Sequence, residues 1–179
     1  ILKEELMSAM GCTEPIAIPY AAAILSDLLC AIPEKISASF SGNIIKNVKS
    51  VIVPMTGGKH GIEAAIAAGL ISAAPKKKLE VLTVLPENAG ELIDGLLETT
   101  EMKISELGSG CAFDLCIKAY LGKKNAEVRI EGDHTNVTSV KLCGKDVTER
   151  YCKRQTVKET GKRIRVDRTL LNVSDIVEF

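Results

Sequence analysis

The sequence predicts an α+β fold, an α/β sandwich with helices packed on one face of a mixed, largely antiparallel sheet. Three observations predict it. Two long, nearly uninterrupted apolar stretches, Pro15 to Cys30 and the alanine-rich Ile62 to Ala74, read as buried helices. The middle of the chain mixes short apolar runs with an amphipathic helical pattern. From Asp114 to Leu142, polar and apolar residues alternate in three runs separated by turn residues, the pattern of a β-meander. The chain has 179 residues, within the range of one domain. A chain of this size buries roughly 70% of its unfolded surface and needs no staples to fold.

The elements follow in order. Ile1 to Met10 places Leu2, Leu6 and Ala9 on one helical face. Pro15 to Cys30 is apolar nearly all round, with Asp27 its one charge, and reads as a buried core helix. Thr13 or Glu14 is positioned to cap it, with Pro15 suited to its first turn. Ile36, Ala38 and Phe40 alternate along a half-buried strand from Lys35 to Phe40. Ile44 to Ser50 reads as a short helix or turn, and Val51 to Val53 as a brief apolar run ending at Pro54. The alanine-rich helix from Ile62 to Ala74 carries only Glu63 as a charge and is expected to wedge against the sheet. Leu79 to Leu85 reads as a strand. Pro86 opens an amphipathic helix from Glu87 to Thr99, and a weak strand follows from Met102 to Glu106. The meander strands are Asp114 to Leu121, Ala126 to Gly132 and Val137 to Leu142, with a further tight turn at Cys143 to Asp146. Thr148 to Arg168 is highly charged and reads as an exposed helix or excursion. Ser174 would cap a helix that Phe179 leaves just begun, so the domain is expected to span 1–173 and a C-terminal helical domain to start at 174–179.

Composition narrows the function. The formal net charge is zero, which argues against a nucleic-acid or anionic-membrane partner. Trp is absent and aromatics are few, so base-stacking platforms are not expected. The Pro15 to Ala31 run is short for a membrane span and is broken by Asp27. The six cysteines, Cys12, Cys30, Cys111, Cys116, Cys143 and Cys152, form no C-x-x-C pair. In a chain with its own core they read as reduced thiols of a cytoplasmic protein.

Four polar clusters interrupt the apolar chain. Gly11-Cys12-Thr13-Glu14-Pro15 puts a thiol at the start of a buried helix, where the positive end of the helix favours a thiolate; an inert cysteine at a helix junction is the plainer reading. Ser41-Gly42-Asn43 comes with Lys46 and Asn47. Thr56-Gly57-Gly58-Lys59-His60-Gly61 has neither Walker A spacing nor G-x-G-x-x-G, which disfavours a phosphate loop against a carboxylate-holding turn or a structural one. His134 in Asp133-His134-Thr135-Asn136 is a turn residue, a base or a ligand.

Taken together, Gly11-Cys12-Thr13-Glu14-Pro15-Ile16-Ala17, Ser41-Gly42-Asn43-Ile44-Ile45-Lys46-Asn47, Pro54-Met55-Thr56-Gly57 and the later His134-Thr135-Asn136 resemble the L-cysteine desulfidase family, also described as serine dehydratase alpha-chain-like. Gly58-Lys59-His60-Gly61 and His134-Thr135-Asn136 are more loosely similar to motifs of the beta domain of iron–sulfur L-serine dehydratases, a domain related to an effector-binding domain of some phosphoglycerate dehydrogenases. The resemblance implies that beta-domain fold. It also implies an oxygen-sensitive [4Fe–4S] lyase that splits L-cysteine into pyruvate, ammonium and sulfide. Such a cluster, held by three cysteines, leaves one iron as a Lewis acid for the leaving thiolate.

By the same resemblance Cys12 is a cluster ligand. Glu14, His134 and Lys46 are acid–base candidates, and Thr13, Ser41, Gly42, Asn43, Asn47, Thr56, Gly57 and Asn136 line the substrate site. The remaining cluster cysteines of the family belong to its C-terminal half, so this chain alone is expected to hold no complete cluster and to have little activity. The expected partners are L-cysteine or L-serine, the protein's own C-terminal domain and a second copy of the chain. An L-serine dehydratase and a non-catalytic amino-acid-binding regulatory module are the alternatives.

Overall fold

A computed structural model describes Ala9 and residues 12–152, and Ala9 to Cys152 falls into one compact unit. The predicted helix over 1–10, the charged stretch beyond Cys152 and the boundary at 173–174 lie outside the described residues. Helix α1 spans Thr13–Leu29, strand β1 Lys35–Phe40, α2 Gly42–Val48, α3 Gly61–Ser72 and α4 Ala89–Thr99. Strands β2 (Glu101–Glu106), β3 (Asp114–Leu121), β4 (Lys124–Glu131), β5 (Val137–Leu142) and β6 (Lys145–Asp146) complete it.

The sheet order is β2-β1-β3-β4-β5-β6. Only β1 and β2 are parallel; every other pair is antiparallel. The alternation along the strands gives the sheet two unlike faces. Ile36, Ala38, Phe40, Leu115, Ile117, Ala119, Ala126, Val128, Ile130 and Val140 are buried. Their neighbours Ser37, Ser39, Lys118, Glu127, Arg129 and Lys141 are half-buried or exposed on the other face. The α+β class with a mixed sheet is therefore as the sequence indicates.

Helix α1 lies on the apolar face against β3 and β4. Helix α3 does not wedge against the sheet as expected. It packs on α1, α4 and the segment after it. The reason is side-chain size: α3 presents Ala64, Ala65, Ala67, Ala68 and Gly69, all buried, to the equally small Ala21, Ala22 and Ala23 of α1. Small residues let two helix backbones approach closely. At Gly69 an added Cβ would stand 2.3 Å from the carbonyl oxygen of Pro19.

A second expectation is overturned. Leu79 to Leu85 is not a strand but part of a 3-10 segment, Pro75–Val84, broken at Lys78 (φ 50°, ψ −120°). Leu79 and Leu82, three residues apart, both bury against α1, while Val84 is 45% exposed. The apolar residues therefore follow a 3-10 turn rather than strict alternation. Val51 to Val53 contributes one isolated bridge, Ile52 to His60. The β3–β4 turn is shorter than predicted, since Leu121 pairs with Lys124 and Lys124 and Asn125 are already strand. At the β5–β6 turn Cys143 (φ 49°) and Gly144 (φ 77°) are both left-handed, the pattern of a type I′ hairpin turn. Among the described residues no helix is long and apolar enough to cross a membrane.

Candidate functional site

The first turn of α1 gathers chain segments far apart in sequence. Cys12 is the N-cap residue, in extended conformation (φ −67°, ψ 131°), and its side chain makes no cap bond. Neither Thr13 nor Glu14 caps the helix as expected; both lie inside its first turn. Their side chains are engaged elsewhere. Thr13 Oγ1 is 3.3 Å from His134 Nε2, across 121 residues of sequence. Which of the two donates depends on the imidazole tautomer. Asn47 of α2 donates through Nδ2 to Glu14 Oε2 at 2.8 Å. A carboxylate in this first turn also meets the positive end of the helix.

His134 is presented by the turn between β4 and β5. Asp133 Oδ1 accepts from the Thr135 N–H at 3.0 Å and from its hydroxyl at 3.1 Å. Asn136 donates through Nδ2 to the Glu131 carbonyl at 2.8 Å. These local bonds set the turn and spend the Asn136 amide on it. Phe113, buried just before β3, packs its ring 4.4 Å from the imidazole at a tilt of 56°. The imidazole is thus held between an aromatic ring and the Thr13 hydroxyl, and Cys12, the residue before Thr13, carries an exposed thiol.

A shallow cleft of 460 Å³ is lined in part by the segment that runs into Phe113. Ser41, Gly42 and Asn43 form one side and residues 106–108 and 110–112 the other. It lies beyond the carboxyl ends of the parallel strands β1 and β2, the end of an open sheet where ligands gather. The loop after β2 crosses the end of β1 to reach β3. It is pinned by the Leu107 N–H on the Phe40 carbonyl at 2.7 Å and by the Ser41 hydroxyl on the Ala112 carbonyl at 3.0 Å. That loop ends at Phe113, so cleft and imidazole share one segment.

The other predicted site residues sit apart. Thr56 is fully buried and donates its hydroxyl to the Val53 carbonyl at 2.6 Å, closing its own loop. Gly57 (φ 69°) takes a left-handed turn position there. Lys59 ties that loop to α4 through Asp94 at 2.6 Å. Lys46 is exposed in the last turn of α2. Among the described residues no hydrogen bond or ion pair joins Thr56, Gly57 or Lys46 to Cys12, Thr13, Glu14 or His134.

Three residues of the site were not predicted. Phe113 could have been found as one of only three Phe in the chain, placed directly before a strand. Glu106, at the carboxyl end of β2, gave no signal, because only the sheet order brings it to Gly42. Asp114 is fully buried and receives Arg129 Nε at 3.0 Å and Nη2 at 2.7 Å. Counting back from the β3–β4 hairpin would have placed these two diagonally on the same face.

Among the described residues no three His, Cys, Asp or Glu side chains converge as a cation site. Cys111 lies in the loop before β3 and Cys116 on the polar sheet face. Burial, with help from Glu127, pushes the Cys116 thiol above its usual range, which disfavours a thiolate there.

Comparison with known proteins places the chain among longer relatives. The chain is similar to proteins named UPF0597. It is 40% identical over 179 residues to one from Desulfitobacterium hafniense. It is 38% identical over 179 residues to one from Treponema denticola and 36% identical over the same length to one from Lachnoclostridium phytofermentans. All of this chain aligns in each case, but it covers only 40%, 41% and 42% of their respective lengths. The chain thus spans about two fifths of the curated relatives it matches. No family model matches it, and no solved structure does.

Proposed function

We propose that this chain is the N-terminal domain of an iron–sulfur-dependent lyase that releases sulfide from L-cysteine, with a fold like that of the serine dehydratase beta domain. The observation that carries the reading is the contact between Thr13 and His134. It joins the two motifs, Gly11 to Pro15 and His134 to Asn136, whose order in the sequence suggested the family.

Within this reading Cys12 supplies one thiolate to a [4Fe–4S] cluster. Its exposure and its place at the positive end of α1 suit a thiolate ligand. Among the described residues no three His, Cys, Asp or Glu converge around it, and the family resemblance would supply the rest of the donor set from the C-terminal half of the longer protein. The cluster, when bound, supplies a Lewis acid. The chain's own residues handle binding and protons. His134 accepts the α-proton of L-cysteine at a ring nitrogen, and Phe113 keeps the imidazole in place. Glu14, fixed by Asn47, orients the helix start. Loss of the α-proton and of hydrosulfide leaves an enamine, which water converts to pyruvate and ammonium. The protein works in the cytoplasm, where its thiols stay reduced.

The test is anaerobic reconstitution of the full-length protein with iron and sulfide, followed by assay of pyruvate and sulfide. Turnover of L-cysteine is expected, with His134→Ala lowering kcat and Cys12→Ala lowering bound iron. Turnover of L-serine alone would establish the dehydratase instead. Amino-acid binding without turnover of either would identify a regulatory module and refute the lyase.

A further inference from the structure

The two edges of the sheet are not alike. At one end β6 is two residues long, and the chain folds back over β5 beyond it. There the Val147 N–H donates to the Val140 carbonyl at 2.9 Å, and the Thr148 hydroxyl accepts from the Val140 N–H at 2.8 Å. At the other end β2 presents six residues, Glu101–Glu106, with β1 on one side only. Its register with β1 is unbroken from Lys35–Glu101 to Phe40–Glu106. The strand contains no proline and no glycine, and Lys103 is its one cation. Natural sheets usually blunt such an edge with a bulge, a proline, a very short strand or a covering element.

The ladder fixes which groups of this edge are free. The Glu101 N–H donates to the Glu34 carbonyl at 3.0 Å and the Leu107 N–H to the Phe40 carbonyl at 2.7 Å. Backbone groups alternate sides along a strand, so residues 101, 103 and 105 turn toward β1, while Met102, Ile104 and Glu106 turn their N–H and C=O groups outward. Among the described residues those outward groups have no hydrogen-bond partner. Met102 and Ile104 are half-buried and pack against the core, so a further strand would extend the apolar face as well as the ladder. The strand is also self-complementary. In an antiparallel pair centred on Ile104, Ile104 faces the partner's Ile104, Met102 faces the partner's Glu106, and Lys103 faces the partner's Ser105. All the outward residues then fall in hydrogen-bonded pairs, and no two like charges stand directly opposite. Centring on Lys103 would oppose two lysines. Centring on Met102 would bring Ile104 to the partner's Thr100, whose N–H is already on the Leu96 carbonyl at 2.9 Å.

We propose that two copies of this chain pair through β2, antiparallel about a two-fold axis at Ile104, and join their sheets into one continuous sheet. A two-fold contact uses the same surface twice and closes, so it covers the edge without opening a path to fibres. The inference is independent of the lyase reading and holds or fails whatever the substrate.

The experiment is sedimentation equilibrium of the 179-residue chain over a range of concentrations, with amide hydrogen exchange followed on the same samples. A monomer–dimer equilibrium is expected. Exchange at Met102, Ile104 and Glu106 should slow as concentration rises, while Lys103 and Ser105, bonded within the sheet, stay protected throughout. Ser105→Glu and Ser105→Lys lose the same 2.9 Å contact with the Ser39 hydroxyl, so the difference between them reads the charge placed opposite Lys103. Ser105→Glu should tighten the dimer by about fivefold and Ser105→Lys loosen it by about as much, since each change acts twice across the axis. Glu106→Pro removes an outward donor and leaves the β1 ladder intact; it should loosen the dimer by about tenfold. A monomer at every concentration, a dimer whose Met102, Ile104 and Glu106 amides exchange as in the monomer, or equal affinities for the two Ser105 variants would each overturn the proposal. If the chain stays monomeric and only the full-length protein protects those amides, the edge is covered by a strand from the rest of that protein and the proposal fails.

Discussion

Of the described glycines, Gly69 has the least room for a side chain, and this makes it an informative position for stability. Gly69 of α3 faces Pro19 in the middle of α1. A Cβ there would meet the Pro19 carbonyl oxygen at 2.3 Å, the Pro19 Cα at 2.5 Å and the Ala22 Cβ at 2.8 Å. The nearest of these is about 1 Å short of ordinary contact. Two of the three atoms are main chain, in a helix buried on nearly every side, and the ring of Pro19 fixes its own φ. No rotamer change relieves the clash, so Gly69→Ala must push the helices apart.

Overpacking of a tight core costs about 1–3 kcal/mol, and more where nothing can rotate away. Against this, alanine in a helix interior gains about 1 kcal/mol over glycine. Taking about 3–4 kcal/mol for the clash leaves a net loss of about 2–3 kcal/mol. For a domain of this size that lowers Tm by about 5–10 °C. Gly95 is the control. It lies in α4, exposed, with nothing within 4 Å of an added Cβ. Gly95→Ala keeps only the propensity gain and should raise stability by about 0.5–1 kcal/mol. Urea unfolding of both variants, with the m-value checked for constancy, decides the matter. If Gly69→Ala is as stable as the parent, or if both alanines shift stability in the same direction, the close helix contact is not what holds α3 on α1.

Three further outcomes follow from the same contacts. Removing Arg129 leaves the buried Asp114 carboxylate without its bidentate partner, so Arg129→Ala should cost about 3 kcal/mol in urea unfolding, and Arg129→Lys should recover only part of it. Burial pushes the Tyr20 phenol up to about 12. The folded state thus resists an ionisation that the unfolded chain undergoes near pH 10, and stability present below pH 10 should fall by about 2–3 kcal/mol as pH rises to 12. Tyr20→Phe should remove that contribution in unfolding measured against pH, while a fall of similar size remains from Tyr151, raised by burial and by its bond to Asp27 Oδ2 at 2.5 Å. Finally, Thr13→Val and His134→Ala, measured singly and together, should couple by about 0.5–1.5 kcal/mol; additivity within about 0.3 kcal/mol would mean that the Thr13–His134 contact carries no energy.

The sheet was more legible than the helical layer, for a physical reason. Strand patterns such as Asp114 to Leu121 report a sheet with one wet face, and here one face is covered and the other is open to water. Alternation therefore survives in the sequence and gives the β3 boundaries directly. Helices α1 and α3 are buried on almost all sides, so neither shows a polar stripe that points to its neighbour. Ala64 to Leu70 could equally have met a sheet, and only the smallness of its residues argued for a helix partner. Leu79 to Leu85 failed in the opposite way. A short apolar run fits a strand or a 3-10 turn equally well, and packing on α1 decided between them.

The site divides along similar lines. Gly11 to Pro15 and His134 to Asn136 could be singled out as polar interruptions of an apolar chain, and their meeting at Thr13 and His134 is what two such interruptions would do in a common site. The Thr56 to Gly61 loop looked equally polar, yet the Thr56 hydroxyl closes its own turn on Val53. A polar cluster in a sequence does not reveal whether its donors face a ligand or its own backbone. Glu106 is the converse. It ends an ordinary strand, and nothing local distinguishes it from Glu101 at the other end. What distinguishes them is the partner each finds. Glu101 pairs with Lys35 across the β1–β2 register, and the lysine holds its carboxyl below the usual carboxylate range. Glu106, in register with Phe40, has an apolar neighbour there and the bare backbone of Gly42 beyond it. The same residue type at two ends of one strand is thus a surface ion pair at one end and an exposed carboxylate beside the bare backbone of Gly42 at the other.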